Sequence, residues 1–207
     1  KCIGYPFLPS PNKKDKRLAV VSDENFSFLY EDNIEFLKEV FGSVEFVSAT
    51  KDEEISPDAD SLFIPGGYVE TTEAFDRIKT SYKFLNCVKN FRGKVYAECA
   101  GLIYLGKSVL NNGEILPMSG VLDLEFEMKK SRIRLGYYVA CDKISGDRYA
   151  GHAFHYSDVT STETAIWELA KPDGRYPKGG GWQKDNFFGT YLHSMFRVSP
   201  KLVEKYL

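Results

Sequence analysis

The chain has 207 residues, of which 43% are hydrophobic and 27% are charged, and its formal net charge is −2 at pH 7. This length and apolar content predict one sizeable folded domain with its own core and argue against a disordered chain. The small net charge gives no electrostatic footprint for nucleic acid, and no run of eighteen apolar residues could span a membrane. We therefore expect a soluble protein of the cytoplasm.

The cysteine pattern and the start of the chain further narrow the class of protein. Cys2, Cys87, Cys99 and Cys141 form neither a C-x-x-C pair nor a regular spacing, which predicts reduced thiols and no metal site. The first residues lack the apolar core of a signal peptide and begin with Lys. We interpret residues 1–16 as a linker from a missing upstream domain and residues 17–207 as the folded domain.

The first half alternates short apolar runs with helical periodicity. "RLAVVSD", "SVEFVSA" and "DSLFIPGG" predict buried strands, and another strand begins at Lys94. Asp32 and Glu35 form a capping-box pattern at the start of a first helix that Gly42 ends. The apolar spacing from Ala74 to Val88 predicts one long amphipathic helix.

This order of elements predicts an α/β fold with an open, largely parallel, flavodoxin-like sheet and helices on both faces. Parallel neighbours need crossover connections, which the helices between the strands supply. Ligands bind at the carboxyl ends of such strands. Three segments lie at predicted strand ends: "SDENFSF", "PGGYVE" and "ECAG".

The second half changes to a period of two. Apolar residues alternate with polar ones in 122–128 and again in 133–139, so we predict that these two segments form an antiparallel hairpin extension. "TAIWELAK" and "NFFGTYLH" predict further strands. Ser199 followed by Pro200 predicts the start of a final helix.

The stretch "KVYAECAGLIYLGKS" fits two different chemistries. Its second part, Gly101 to Ser108, matches G-x-x-x-x-G-K-[ST], the pattern of loops that bind nucleotide phosphates. Such loops carry small residues between their glycines, whereas the residues here are bulky and apolar, which is typical of a buried helix. A nucleotide-binding module using Gly101 to Ser108 is therefore the weaker of the two interpretations.

The other interpretation is a nucleophile at a strand-to-helix turn. Cys99 follows a predicted strand and precedes a predicted helix, whose N-terminus would favour the thiolate, although cysteines are also common as buried packing residues. His193, after an apolar strand near the chain end, is the candidate general base. Gly66, Gly67 and the N–H of Ala100 are candidates for stabilising an oxyanion.

Five segments in chain order resemble a known family: "SDENFSFLYEDNIEFL", "PGGYVE", "VYAECAGLIYLG", "GHAFHYS" and "GTYLHSMF". From about Leu18 to its end, the chain resembles the C-terminal glutaminase domain of the cobyrinic acid a,c-diamide synthase family. The resemblance implies a class I-like glutamine amidotransferase domain, with Cys99 as the nucleophile, His193 as the general base and "PGGYVE" as the oxyanion loop. We assign Glu70 and Glu98 to glutamine binding or to loop positioning.

The same resemblance implies a partner. In that family the domain follows an ATP-dependent ligase domain, which activates two acetate side chains of a corrin-type tetrapyrrole and amidates them with ammonia from glutamine. The resemblance therefore implies L-glutamine as the substrate and no cofactor in this domain. ATP and Mg are expected only in the missing ligase domain, which would be fused upstream or separate.

The sequence departs from the family pattern at four positions. Ala100 and Val69 stand where the family usually has Gly and Pro, Ala153 stands in place of Glu, and Met195 in place of His. In the wider class I group an acidic residue at the position of Met195 orients the histidine, so a dyad or another carboxylate would have to serve here. A non-catalytic amidotransferase-like interaction domain remains an alternative.

Overall fold

The computed structural model describes residues 9–129 and 134–207. The helices within these residues are α1 (Glu31–Val40), α2 (Thr72–Ile78), α3 (Tyr82–Asn90), α4 (Ala100–Leu105) and α5 (Pro200–Tyr206). The strands are β1 (Lys13–Val21), β2 (Phe41–Val47), β3 (Ser61–Ile64), β4 (Lys94–Glu98), β5 (Ser108–Asn111), β6 (Glu114–Pro117), β7 (Glu125–Met128), β8 (Arg134–Asp142), β9 (Arg148–His155), β10 (Ser157–Val159), β11 (Trp167–Ala170), β12 (Lys178–Lys184), β13 (Phe187–Thr190) and β14 (His193–Ser194).

A large sheet organises the molecule, with the strand order β14-β9-β8-β11-β12-β13-β4-β3-β1-β2. The strands from β13 to β2 in this order are parallel neighbours. Helices lie on both faces of the sheet, as two neighbouring residues of β13 show. Gly189 faces Leu102 of α4, whereas the Phe188 ring packs against the Tyr206 ring of α5, with ring centroids 4.2 Å apart. Successive strand residues point to opposite faces. The predicted α/β fold with a parallel sheet is confirmed.

The other half of the sheet is antiparallel and strongly curved. From β13 through β12, β11, β8 and β9 to β14, every neighbouring pair is antiparallel. Only Tyr191 and Leu192 separate β13 from β14, although these two strands lie at opposite ends of that series. The antiparallel half must therefore curl round until its edge strand returns close to β13.

The predicted hairpin between residues 122–128 and 133–139 is wrong in its pairing. β7 belongs to a second sheet, ordered β10-β7-β5-β6, whereas β8 pairs with β9 and β11 in the large sheet. The connection between β7 and β8 lies partly outside the described residues. Alternation identifies a strand but not its partner. In the structure β8 forms a hairpin with β9 instead.

Two helix predictions also need correction. The single helix predicted over Ala74 to Val88 is two helices, α2 and α3, because the chain turns between them and the Ser81 N–H bonds to the Ile78 carbonyl at 3.0 Å. The capping box predicted at Asp32 is absent from the start of α1, whose N-cap residue is Tyr30. Asp32 pairs instead with Arg197 at 2.9 Å.

The two ends of the described chain are both tied into the large sheet. β1 begins at Lys13, within the range interpreted as a linker, and Lys13 is paired with Phe41 of β2. At the other end α5 begins at Pro200, as predicted, and the Tyr206 hydroxyl accepts a hydrogen bond from the buried Trp167 indole at 3.0 Å. In the parts of the chain described here, no helix is long and apolar enough to cross a membrane.

Candidate active site

The site lies where the carboxyl ends of β3 and β4 meet. These strands are parallel neighbours, so the residues that follow them lie at the same edge of the sheet. Pro65 and Gly66 follow β3, and Cys99 follows β4. The two loops touch, because the Gly101 N–H donates to the Pro65 carbonyl at 3.2 Å.

Cys99 sits in a strained backbone conformation at the strand-to-helix turn. Its φ is 47° and its ψ is −100°, a region that side-chain-bearing residues rarely adopt. The Cys99 N–H is held by the Thr190 carbonyl at 2.8 Å, and the sulfur lies 3.7 Å from the Phe154 carbonyl of β9. A strained turn of this kind is how other proteins present a nucleophile above a sheet.

His193 is buried against the glycine loop. Its side chain has no exposed surface, and a Cβ placed on Gly66 would lie 2.2 Å from its Cε1 atom. Neither ring nitrogen has a hydrogen-bond partner among the described residues. A neutral imidazole with an unused nitrogen can accept a proton, so the geometry suits a general base.

A second histidine lies on the first. The His152 ring stacks on the His193 ring, with centroids 4.8 Å apart and planes 14° from parallel. His152 Nε2 is hydrogen-bonded to the Tyr30 hydroxyl, which comes from the loop before α1. His152 and Tyr30 thus line one side of the space around His193. The sequence did not predict a role for Tyr30, because an aromatic residue before a helix matches no catalytic motif.

The candidate oxyanion donors lie on the two loops that meet at Cys99. Ala100 is the first residue of α4, so its N–H is one of the helix N-terminal donors that have no partner within the helix. Gly67 has a φ of +154°, and a Cβ there would lie 2.1 Å from the Asn25 carbonyl oxygen, so only glycine fits. The structure therefore brings Gly66, Gly67 and Ala100 to the same edge as Cys99.

Burial dominates the electrostatics of the pair. It raises the pKa of the Cys99 thiol well above its usual range, and the Glu70 carboxylate raises that pKa further. Burial, together with its histidine neighbours, lowers the pKa of His193 to about 3. Both shifts favour the neutral forms near pH 7, so at Cys99 burial opposes the thiolate that the N-terminus of the six-residue helix is expected to favour.

The two acidic candidates occupy different environments. Glu70 is partly exposed and accepts a hydrogen bond from the Val69 N–H at 2.9 Å, and burial raises its pKa. Glu98 has no exposed surface and accepts a hydrogen bond from the Ser194 N–H at 2.9 Å. This burial favours a positioning role for Glu98 over contact with glutamine.

The sequence match to a phosphate loop coincides with a packed helix. All six residues of α4 are buried, and the Ile103 N–H bonds to the Cys99 carbonyl at 3.0 Å, as in a helix. Lys107 lies beyond the helix and pairs with Asp123 at 3.2 Å. The backbone N–H groups of this stretch are thus not arranged around a phosphate.

Solved structures share this fold. A solved glutamine amidotransferase superposes with a TM-score of 0.64 at 18% identity, covering 92% of this chain and 96% of that one. A GMP synthase protein from Thermoplasma acidophilum superposes with a TM-score of 0.61 at 13% identity, covering 90% of each chain. The fold is that of the glutamine amidotransferases.

The family follows from the sequence comparisons. Residues 17–201 match the CobB/CobQ-like glutamine amidotransferase domain, and the chain belongs to this family. Cobyrinate a,c-diamide synthase of Methanocaldococcus jannaschii is 33% identical over 202 residues, covering 94% of this chain and 44% of that protein. The Listeria monocytogenes enzyme of the same name is 33% identical over 204 residues, covering 94% and 45%. The chain thus spans less than half the length of these relatives.

The described residues offer no arrangement for a bound metal ion. Over residues 9–129 and 134–207, no group of three or more His, Cys, Asp or Glu side chains is placed to hold one.

Proposed function

We propose that this chain hydrolyses the side-chain amide of L-glutamine and releases ammonia. One observation carries the proposal: the strained turn at Cys99 lies at the same sheet edge as a buried histidine packed on Gly66. Neither ring nitrogen of this histidine has a partner among residues 9–129 and 134–207. A neutral thiol and a neutral imidazole at the same sheet edge are the resting state that general-base activation of a nucleophile requires. Membership of the amidotransferase family points to glutamine as the donor of nitrogen.

The proposed reaction has two halves. The Cys99 sulfur attacks the amide carbon of glutamine while its proton passes to His193, and N–H groups of Ala100 and the Gly66–Gly67 loop hold the negative oxygen. His193 then gives that proton to the departing nitrogen, so the carbon–nitrogen bond breaks and ammonia leaves a thioester. A water molecule, deprotonated by His193, hydrolyses the thioester to glutamate and restores the thiol.

The use of the ammonia is a further part of the proposal. The chain spans less than half of its cobyrinate a,c-diamide synthase relatives, and no nucleotide loop is formed at Gly101 to Ser108. We therefore assign carboxylate activation, with its ATP and magnesium, to a ligase domain outside this chain, fused or separate. That domain would amidate the a and c acetate groups of a corrin-type tetrapyrrole in cobalamin biosynthesis.

The nucleophile can be tested with a diazo-ketone analogue of glutamine. We expect the analogue to alkylate Cys99, located by mass spectrometry, and we expect His193→Ala to slow the labelling by at least about tenfold. Cys87 and Cys141 serve as internal controls, because both are partly exposed and lie outside the site. Labelling of either in place of Cys99 would refute the assignment.

The link to amidation needs the joined protein. With the ligase domain present, Cys99→Ala should abolish amidation driven by glutamine and leave amidation driven by high ammonium intact. Loss with both nitrogen sources would make Cys99 structural. Retention with both would favour the alternative of a non-catalytic interaction domain.

A further inference from the structure

A buried carboxyl group beside the nucleophile has no part in the reaction as proposed. Glu98 precedes Cys99, and its side chain has no exposed surface. Its Oε1 atom accepts hydrogen bonds from the Ser194 backbone N–H at 2.9 Å and from the Tyr96 hydroxyl at 3.1 Å. Its Oε2 atom has no partner within the described residues. An unused oxygen on a buried carboxyl is energetically costly and calls for an explanation.

The hydrogen bonds of Glu98 act on the residue that follows the histidine. Ser194 is held from two sides, since its carbonyl accepts a hydrogen bond from the Asn33 amide at 2.8 Å and its N–H is bound by Glu98. The Ser194 hydroxyl also lies 2.7 Å from the Tyr96 hydroxyl. β14 is only two residues long, so the two contacts to the Ser194 backbone, from Glu98 and Asn33, fix the backbone that carries His193, whereas Tyr96 touches only the Ser194 side chain.

The proposed chemistry creates a charge that needs a partner. When His193 accepts the proton of Cys99, an imidazolium forms at a position with no exposed surface, and a buried charge without a counter-charge is strongly unfavourable. The adjacent His152 and His155 lower the pKa of His193 and so disfavour that cation. Glu98 is the buried carboxyl that is bonded to the same segment.

We propose that Glu98 is a positioning residue for His193: it fixes the histidine through the N–H of Ser194, and its carboxylate supports the imidazolium during turnover. This inference rests on the proposed function. Burial raises the pKa of Glu98 to about 8, so the carboxyl loses its proton to solvent as the pH approaches 8, and the ionised form is the one that supports the imidazolium. The Glu98 charge also raises the pKa of Tyr96, Cys99 and Tyr30, the titratable groups around it.

The test compares two isosteric changes in the protein joined to its ligase domain. Glu98→Gln keeps an acceptor for the Ser194 N–H but cannot carry the charge, whereas Tyr96→Phe removes the other partner of Glu98 and leaves the carboxyl in place. We expect E98Q to lower kcat for glutamine hydrolysis by about 10- to 100-fold with little change in KM, as removal of a supporting residue does elsewhere. We expect Y96F to stay within a few-fold of the wild type.

The pH profile separates positioning from simple packing. The wild-type kcat/KM should show an inflection near pH 8 that E98Q lacks and Y96F retains. An unchanged profile and kcat in E98Q would overturn the inference, and so would an effect confined to KM, which would indicate contact with glutamine.

Two further measurements keep the inference separate from the proposed function. A wild-type protein that hydrolyses no glutamine would refute the proposed function. The role of Glu98 would then be tested by the rate of Cys99 alkylation by iodoacetamide, measured across pH. We expect this rate to show the inflection near pH 8 in the wild type and not in E98Q. Should E98Q fail to fold, NMR of the wild-type His193 ring provides the test. A ring shift near pH 8 supports the coupling, and its absence overturns it.

Discussion

At Gly66 the two halves of the candidate site come into direct contact. The parallel half supplies Cys99 and the glycine loop, and the curled antiparallel half supplies His193, so the histidine reaches its place only because Gly66 lacks a side chain. The Phe28 N–H bonds to the Gly66 carbonyl at 3.0 Å, which holds the loop in position. The contact makes Gly66 a sensitive point for activity.

We expect Gly66→Ala to lower the rate of Cys99 labelling and of glutamine hydrolysis on the order of 100-fold, because a displaced histidine no longer reaches the sulfur. Overpacking should also lower the free energy of unfolding by about 1 to 3 kcal/mol. Gly120→Ala is the matched control: its φ of +71° makes the change strained, but its Cβ meets no described atom within 4 Å. Equal losses of activity in both variants would contradict the prediction.

Sequence patterns identified some of these residues and could not identify others. Cys99, His193 and the glycine loop were predicted because a nucleophile, a base and a flexible turn each leave a trace in a single segment. Tyr30 was missed, since its role arises only from contact with His152, which is more than a hundred residues away in the chain. The neutral state of Cys99 was also missed, because burial is a property of the folded molecule.

At the scale of elements, a buried carboxylate adds to the aromatic contacts that hold α5 to the sheet. Burial opposes ionisation of Asp142, but hydrogen bonds from Lys205 at 2.5 Å, Tyr206 at 2.9 Å and two backbone N–H groups outweigh it. They hold the pKa of Asp142 well below its usual range. The helix is thus anchored at its last turn to the end of β8.

We expect Asp142→Asn to lower the free energy of unfolding by about 1.5 to 3 kcal/mol at pH 7, because it weakens charge-assisted hydrogen bonds inside the protein. Denaturant unfolding at pH 7 measures the loss. Lys201→Ala provides the comparison, since Lys201 is 69% exposed and pairs with Asp147 at 3.4 Å on the surface; it should change the free energy by less than about 1 kcal/mol. A smaller effect for D142N than for K201A would contradict this account.

Elements were predicted from the sequence more reliably than their partners. The strands of the parallel half and the start of α5 follow from local apolar runs and from a Ser-Pro start. The pairing of β7 with β5 and β10 is instead a tertiary contact, which brings the Phe126 ring against Gly106 after α4. The break between α2 and α3 likewise depends on packing, because the apolar spacing continues across it.

For the whole molecule, buried titratable groups predict a maximum in stability. The pKa of His193 is lowered to about 3 and that of His155 to about 4, so both histidines favour folding above about pH 6.5 and lose that contribution as the pH falls. The pKa of Glu98 is raised to about 8, so its contribution is full below about pH 4.5 and is lost as the pH rises toward 8. Burial lowers the pKa of His152, which therefore favours folding at higher pH like the other two histidines. Burial raises the pKa of Glu70, which therefore favours folding at lower pH like Glu98.

From about pH 5 to 6.5, the two histidines outweigh Glu98, and the free energy of unfolding rises by about 1.4 kcal/mol per pH unit. From about pH 6.5 to 8, Glu98 acts alone, and the free energy of unfolding falls at a similar rate. We therefore expect the free energy of unfolding, measured by urea denaturation across pH, to peak near pH 6.5. In E98Q the fall on the alkaline side should be much smaller. A steady increase from pH 5 to 8 in the wild type would contradict the burial of these groups.

Aromatic packing at two separate places gives the molecule two internal optical reporters. The sequence has two tryptophans: Trp167 is fully buried and bonded to Tyr206, and Trp182 packs edge-on to Tyr191, at 6.1 Å between ring centroids. Tyr191 directly follows Thr190, whose carbonyl holds the Cys99 N–H. Fluorescence from Trp167 should therefore follow release of the C-terminal helix, while emission from Trp182 should follow events at the nucleophile, so single-tryptophan variants could time the two processes separately.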